Sequence, residues 1–242
     1  MQFDGIDVIG EQTLANISKA ESFNHWMYDT IKPFVKGHLL EIGSGIGNIS
    51  QYFLLDRTQT TLTDLRPNYC EILSEKFKGQ PTLQAILTIN LTHPRFEQEY
   101  AHLLNKYDSI VALNVVEHIA DDKLALANCY KLLRPNGHVI ILVPAYQSLY
   151  NKFDEGLEHI KRYTKTSLCQ LITHANFEII HAQYFNFVGI AGWFCFGSIL
   201  KRENISENQM QLYDKLVPII KLMDKLVLNK VGLSTVCIGK KK

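Results

Sequence analysis

Glu41, Gly43, Gly45 and Gly47, in the run Leu-Leu-Glu-Ile-Gly-Ser-Gly-Ile-Gly at 39–47, are the residues whose types and spacing say most about chemistry. An apolar run that ends in a glycine-rich turn brings bare backbone up to a nucleotide-like ligand at the C-terminal end of a strand. A dinucleotide fingerprint is spaced Gly-x-Gly-x-x-Gly and seats a pyrophosphate on a helix N-terminus, where negative charge is favoured. Here the spacing is Gly-x-Gly-x-Gly, with Ser44 between the first two glycines, and Glu41 would repel a phosphate. A carboxylate at that point suits a cationic ligand. A glycine-rich turn that binds nothing is the alternative, so the assignment depends on the residues that follow.

Asp64 closes the run Thr-Thr-Leu-Thr-Asp, 17 residues beyond Gly47. If the runs ending at Ile42 and Asp64 are neighbouring parallel strands, their tips are adjacent, and this carboxylate can accept the two hydroxyls of an adenosine ribose. Ile89-Asn90-Leu91 ends a third run. The Asn90 amide is placed to meet an adenine edge, with Leu65 and Leu91 on either side of the ring; a strand-ending Asn that merely turns the chain is the alternative. A fourth run, Tyr-Asp-Ser-Ile-Val-Ala-Leu-Asn-Val-Val-Glu-His at 107–118, turns polar where it should leave the sheet. Ligands bind at such carboxyl ends, so Asn114, Glu117 and His118 are expected to line a pocket. Glu117 and His118 could equally cap the next helix or each other.

The elements that must hold these residues alternate. Strands are expected at His38–Ile42, Thr60–Asp64, Leu83–Ile89, Ser109–Leu113 and His138–Val143, with helices at Ile49–Leu55, Asn68–Lys78 and Asp121–Leu133 between them. That alternation argues for right-handed βαβ units and a parallel sheet covered on both faces. Val-Ile-Ile-Leu-Val at 139–143 has no polar alternation, as a strand buried on both sides should not, and Pro135-Asn136-Gly137 before it reads as a turn. A polar helical arm (about Glu11–Ile31) precedes the sheet. Beyond it, a helix at Thr166–Ala175, a strand at Phe177–Phe185 and a last strand at Ser234–Ile238 are expected. The intervening stretch, Val188–Asn229, is too long for a simple connection and must carry helices of its own. Leu212, Leu216, Ile219, Ile220, Met223, Leu226 and Val227 have helical spacing, with Pro218 as a kink. Packing on the sheet and a substrate lid are both open to this segment.

Composition excludes several classes. The 242 residues carry 25 basic against 24 acidic side chains, so no global field recruits nucleic acid or anionic lipid. The five cysteines are scattered without a Cys-x-x-Cys, which suits reduced thiols in a cytoplasmic protein, and no residue set is assigned to a metal. The polar N-terminus gives no secretory signal, and the longest apolar run, Val188–Leu200, is shorter than the ~20 residues needed to span a bilayer.

Taken together, Glu-Ile-Gly-Ser-Gly-Ile-Gly, the strand-end Asp64, Asn-Val-Val-Glu-His and Leu-Leu-Arg-Pro-Asn-Gly-His resemble the class I S-adenosylmethionine-dependent methyltransferases, over about Trp26 to Gly239. Gly-Leu-Glu-His-Ile-Lys-Arg-Tyr-Thr at 156–164 is similar to a Gly-His-x-Arg-Arg-Tyr segment in a bacterial branch sometimes fused to glycosyltransferases. The chain departs from that segment at Glu158, usually glycine, and at Lys161. The resemblance implies an α/β, Rossmann-like sheet of seven mostly parallel strands, the last antiparallel, with helices on both faces. It implies one domain, made of an arm (1–36), a core (37–185 and 233–242) and a helical insertion (186–232) between the last two strands. It implies S-adenosylmethionine as cofactor and S-adenosylhomocysteine as product, held by Glu41, Gly43, Ser44, Gly45, Gly47, Asp64, Leu65, Asn90, Leu91 and Asn114.

Methyl transfer from a sulfonium is an in-line displacement with the leaving group already in place, so positioning is the protein's main task, worth ~7–11 kcal/mol of barrier. A general base adds ~10²–10⁴-fold if the acceptor must lose a proton. His118 and His159 are the candidates, since histidine titrates near neutral pH. Arg162 and Tyr163, with Glu117, are placed on the acceptor side, where they suit a carboxylate or phosphate; alternatively Arg162 pairs with Glu155 or Glu158. The acceptor expected is a small or lipid-linked molecule, without stable membrane insertion. Phe187, Trp193, Phe194 and Phe196 suit a greasy contact surface, and core packing or a homodimer interface would use the same residues. A nucleic-acid or protein methyltransferase is the first rival, opposed by Asn114-Val-Val-Glu where amino-methylating DNA enzymes usually carry Asn/Asp-Pro-Pro-Tyr/Phe. A nicotinamide-dependent oxidoreductase is the second, opposed by Glu41 and the glycine spacing.

Overall fold

The computed structural model describes residues 8–204 and 206–242. The chain begins with α1 (Val8–Ser18) and α2 (Glu21–Ile31), then alternates through β1 (Leu39–Ile42), α3 (Ser50–Leu55), β2 (Thr60–Thr63), α4 (Pro67–Lys76) and β3 (Leu83–Leu87). A short α5 (Phe96–Glu99) leads to β4 (Tyr107–Leu113), α6 (Asp122–Leu132) and β5 (Leu133–Pro144). Next come α7 (Lys152–Gly156), α8 (Lys165–His174) and β6 (Phe177–Phe185), then α9 (Gly189–Trp193) with a π-helical turn over Phe194–Ile199, α10 (Glu207–Leu226) and β7 (Ser234–Lys241).

The strands form one sheet in the order β3-β2-β1-β4-β5-β7-β6. β7 alone runs against the rest, antiparallel to both β5 and β6. Strand side chains alternate between faces, and the core divides accordingly. Leu40, Ile42, Ile110, Ala112, Val139 and Ile141 pack with α6 and α8. Leu39, Val111, Ile140, Leu142, Val236 and Ile238 pack with α2, α3 and α10. Residues 139–143 are buried throughout, because β5 is covered on both faces and paired on both edges.

The sequence expectations need adjusting in three places. The N-terminal arm is two helices, broken at Lys19 and the fully buried Ala20, whose backbone leaves the helical region. Pro135-Asn136-Gly137 does not end an element but lies within β5: Asn136 takes φ 65°, and the ladder to β4 shifts register between Tyr107 and Ser109. β7 continues to Lys241, three residues past the expected end, because its partners β5 and β6 offer backbone groups that far.

The insertion between β6 and β7 is pinned at both ends of its long helix. Ser206 caps α10, accepting from the Gln209 N–H, while buried Asp224 accepts from the N–H groups of Asn186 (2.6 Å) and Phe187 (2.7 Å) just beyond β6. α10 also lies against the arm: the Phe23 N–H donates to Asp214 at 2.8 Å, and Lys221 pairs with Asp29 at 3.2 Å. No helix among the described residues is long and apolar enough to cross a membrane.

Gly47 shows how tightly the turn after β1 is set. Its φ is 79°, and a Cβ there would lie 2.5 Å from the Phe77 ring and 3.1 Å from Leu73. Gly47→Ala should therefore destabilise the fold by ~1–2 kcal/mol through left-handed backbone and by ~1–3 kcal/mol more through overpacking. Denaturant unfolding of the purified variant measures this, and an unchanged midpoint would contradict it.

Candidate active site

The turn after β1 opens one end of a cavity of about 820 Å³ at the C-terminal edge of the parallel strands, within the ~300–1,000 Å³ range of ligand pockets. Gly43, at φ 69°, leaves no room for a side chain, since a Cβ would lie 2.4 Å from Val115. Its backbone is thus bare toward the cavity. Glu41 is buried beneath it and accepts a short hydrogen bond from Ser50. Burial pushes its carboxyl up to about 7, against the opposing pull of hydrogen bonds from Ser50 and Ser44. Asp64 accepts from the N–H groups of Gly45 (2.9 Å) and Arg66 (3.0 Å), which fixes the β2 tip against the glycine turn. Burial raises this carboxyl too, with those backbone donors working against the rise. Leu65, Asn90, Leu91 and Asn114 line the same cavity. Asn114 holds φ 54° at the end of β4, a left-handed conformation that asparagine tolerates better than most residues.

At the other end the turn after β4 meets the 156–164 segment. The Ile160 N–H donates to the Glu117 carbonyl at 2.9 Å, and the rings of His118 and His159 meet edge-on with centroids 4.8 Å apart. Both histidines and Arg162 line the cavity. Asp154, on α7, organises this end. One oxygen contacts His159 Nδ1 (2.8 Å) and accepts from Arg162 Nε (2.7 Å); the other accepts from the Asn151 N–H (3.0 Å) and the Trp193 indole (3.3 Å). Burial alone would raise the Asp154 carboxyl, but the His159 hydrogen bond and the Arg162 charge hold it below its usual range. Burial pushes Glu117 up to about 8, and the Arg162 charge only partly offsets this. Glu158 holds φ 58°, the backbone a glycine would adopt freely.

Several expectations are corrected here. Tyr163 does not face the cavity: it is buried in the core with its hydroxyl donating to Asp122 at 2.8 Å. The Tyr163 and Ala145 backbones form a β-bridge, and in extended chain successive side chains point to opposite sides, so Arg162 and Tyr163 diverge. Arg162 pairs with neither Glu155 nor Glu158 but with Asp154, and it stacks on Trp193 at 4.6 Å. Gly47 serves helix packing under α4 and is not on the cavity wall. Glu117 lies behind that wall, fully buried. Asn90, which lines the cavity, is not contradicted: its side-chain oxygen turns the chain by accepting from Thr92 N–H and hydroxyl, both at 2.9 Å.

Sequence reasoning missed Asp154 and the place of α1 in the cavity wall. Asn151 followed three residues later by Asp154 is a capping-box spacing, a signal that was available. α1 folds over the glycine turn: Thr13, Leu14 and Ile17 line the cavity, and Asn48 donates to the Leu14 carbonyl at 3.1 Å.

Comparison with known proteins agrees with this fold. Residues 40–139 match the family model described as a methyltransferase domain. The hybrid PKS-NRPS synthetase pydA of Acremonium sp is 30% identical over 129 residues, covering 50% of this chain but 3% of that protein. The chain thus spans only a few per cent of the length of that curated relative. Among solved structures, Haemonchus contortus phosphoethanolamine N-methyltransferase 2 in complex with S-adenosyl-L-methionine superposes with TM-score 0.60 at 15% identity, over 93% of this chain and 56% of that one. A SAM dependent methyltransferase from Archaeoglobus fulgidus gives TM-score 0.58 at 16% identity, over 90% and 94%. Residues 40–139 thus resemble a methyltransferase domain, and the fold is the one that these S-adenosylmethionine-dependent methyltransferases share.

Asp154→Ala should leave Arg162 as a buried charge without its carboxylate, costing ~3–5 kcal/mol of stability. Urea unfolding of the variant is the measurement, and a loss below ~1 kcal/mol would show that solvent, not Asp154, compensates Arg162.

Proposed function

We propose that the chain moves the methyl group of S-adenosylmethionine to a small or lipid-linked acceptor. The observation that carries this reading is one continuous cavity with Glu41, Asp64 and bare glycine backbone at one end and His118, His159 and Arg162 at the other. In this reading Asp64 takes the ribose hydroxyls with the lone pairs left over from Gly45 and Arg66, Leu65 and Leu91 flank the adenine, and Glu41 favours the cationic amino-acid part. Trp193, Phe196, Met210 and Tyr213 of the insertion, with Phe23 and Met27 of the arm, give the acceptor end an apolar wall that suits a greasy substrate. The segment 186–232 then acts as the lid that selects the acceptor. The outer stripe of α10, where Leu212, Ile219, Leu222 and Leu226 are exposed, is a separate surface and the place for a homodimer contact.

Calorimetry with S-adenosylhomocysteine tests the reading. Binding is expected for the wild type and should weaken in Asp64→Ala by the ~1.5–3 kcal/mol of hydrogen bonds to a charged group. Binding of NAD in place of the thioether nucleoside would overturn it.

The raised Glu41 carboxyl gives a second test. An acid lifted from 4.5 to about 7 makes the folded chain hold more protons than the unfolded one, so its contribution to stability falls as pH rises through that window. A cationic ligand beside Glu41 favours the ionised form, so binding must release a proton below pH 7. S-adenosylhomocysteine affinity should rise between about pH 6 and about pH 8, with proton release approaching one at the lower value. Titrations in buffers of different ionisation enthalpy read this directly. Glu41→Gln should abolish the release; release that persists in the variant would place the proton elsewhere.

A further inference from the structure

Glu117 is a titratable group that the methyl-transfer reading leaves without a task. Its side chain is fully buried, and neither carboxylate oxygen has a hydrogen-bond partner. A buried carboxylate is ordinarily held by hydrogen-bond donors, and one without them points to a missing ligand. Arg162, the cation nearby, is already engaged through Nε by Asp154 at 2.7 Å. Two imidazoles lie beside the carboxylate instead. His159 Nε2 is 3.9 Å from Glu117 Oε1, the His118 ring packs against His159, and one ligand atom from each of the three residues lies within 4.8 Å of the other two.

Two imidazoles and a carboxylate are the donor set of first-row transition-metal sites that keep positions open for substrate. The outer contacts match as well. Ionised Asp154 can only accept, so its 2.8 Å contact puts the proton of His159 on Nδ1 and leaves the Nε2 lone pair on the side of Glu117. A carboxylate that orients a ligating histidine in this way is the usual support of such a site. The Ile160-to-Glu117 backbone bond ties the two chain segments together, so the three donors arrive on a fixed frame.

We propose that Glu117, His118 and His159 bind one divalent first-row metal ion of the Zn²⁺ class, with its open position toward the cavity that both histidines line. On the methyl-transfer reading, on which this last part rests, that position takes an acceptor hydroxyl and makes it more acidic. The hydroxyl proton leaves to solvent, and the oxygen's electron pair forms the C–O bond as the C–S bond of the sulfonium breaks. The products are a methyl ether, the thioether and one proton. The site thereby points to oxygen as the methylated atom.

Chelator-treated protein is titrated with Zn²⁺ by calorimetry and with Co²⁺ followed by visible absorption, and the same samples are titrated with S-adenosylhomocysteine. One equivalent of metal is expected, with Co²⁺ bands of low coordination number. Affinity should fall by about tenfold or more in Glu117→Gln and in His118→Asn, by analogy with the loss seen when metal-site contacts are removed. Glu117→Gln replaces a buried acid by its neutral isostere, and its nucleoside binding shows that the variant is folded. Absence of metal binding by the wild type, or isotherms unchanged in both variants, overturns the site. Wild-type protein that binds Zn²⁺ but not the nucleoside fails the cofactor reading and leaves the ion site standing; the reverse fails the ion site alone.

Discussion

Asp154 has no solvent-exposed side-chain surface and still carries contacts from four directions: His159, Arg162, the Asn151 backbone and the Trp193 indole. The low dielectric that makes an unpaired buried charge costly also strengthens a fully satisfied one, so such a cluster has few alternative arrangements. The four partners come from three pieces of the chain around this end of the cavity. His159 and Arg162 come from the loop beyond β5, Asn151 from the start of α7, and Trp193 from the insertion. Their relative positions therefore follow from one carboxylate rather than from the sheet.

The other end of the cavity is built on a different principle. Gly43, Gly45 and Gly47 adopt left-handed backbone, and the Asp64-to-Gly45 bond locks the turn to the neighbouring strand tip. This is rigid backbone against rigid sheet, which fits a ligand whose shape does not change from one substrate to the next. The end around Asp154 is a network of side chains on loops, which tolerates change without disturbing the sheet.

That division also accounts for what was legible in the sequence. Glu41, Gly43, Gly45, Asp64 and Asn114 stand at strand ends whose order follows from alternating βαβ units, so type and spacing were enough to bring them to one cavity. The 156–164 segment was recognisable, but the direction of each side chain depends on the Ala145–Tyr163 bridge, a contact between residues 18 apart that no local pattern reveals. Reading Arg162 and Tyr163 as a pair ignored the alternation that such a bridge imposes. Asp154 sits among Glu155 and Glu158 and looks in sequence like one more solvated acid; only the fold buries it. α1 went unread as a cavity wall for a similar reason, because its contact with the glycine turn crosses 34 residues.

The insertion and the arm are better understood as one cover than as two. α10 packs on α2, with Phe23 bonded to Asp214 and Lys221 paired with Asp29, and Phe23 also packs against Tyr213. Leu14, Met27, Met210, Tyr213 and Trp193 all face the cavity that these helices roof. Its lower fixed point is Asp224, which holds the chain as it leaves β6, and its forward fixed point is Asp154, which holds Trp193. Opening the cavity therefore has two routes. One bends the chain between Trp193 and Glu203, keeping both carboxylates satisfied. The other lifts α10 and must break the Asp214 and Asp224 contacts together with the aromatic packing of Phe23. The first leaves the aromatic packing of Phe23 in place, and it runs through the π-helical turn at Phe194–Ile199.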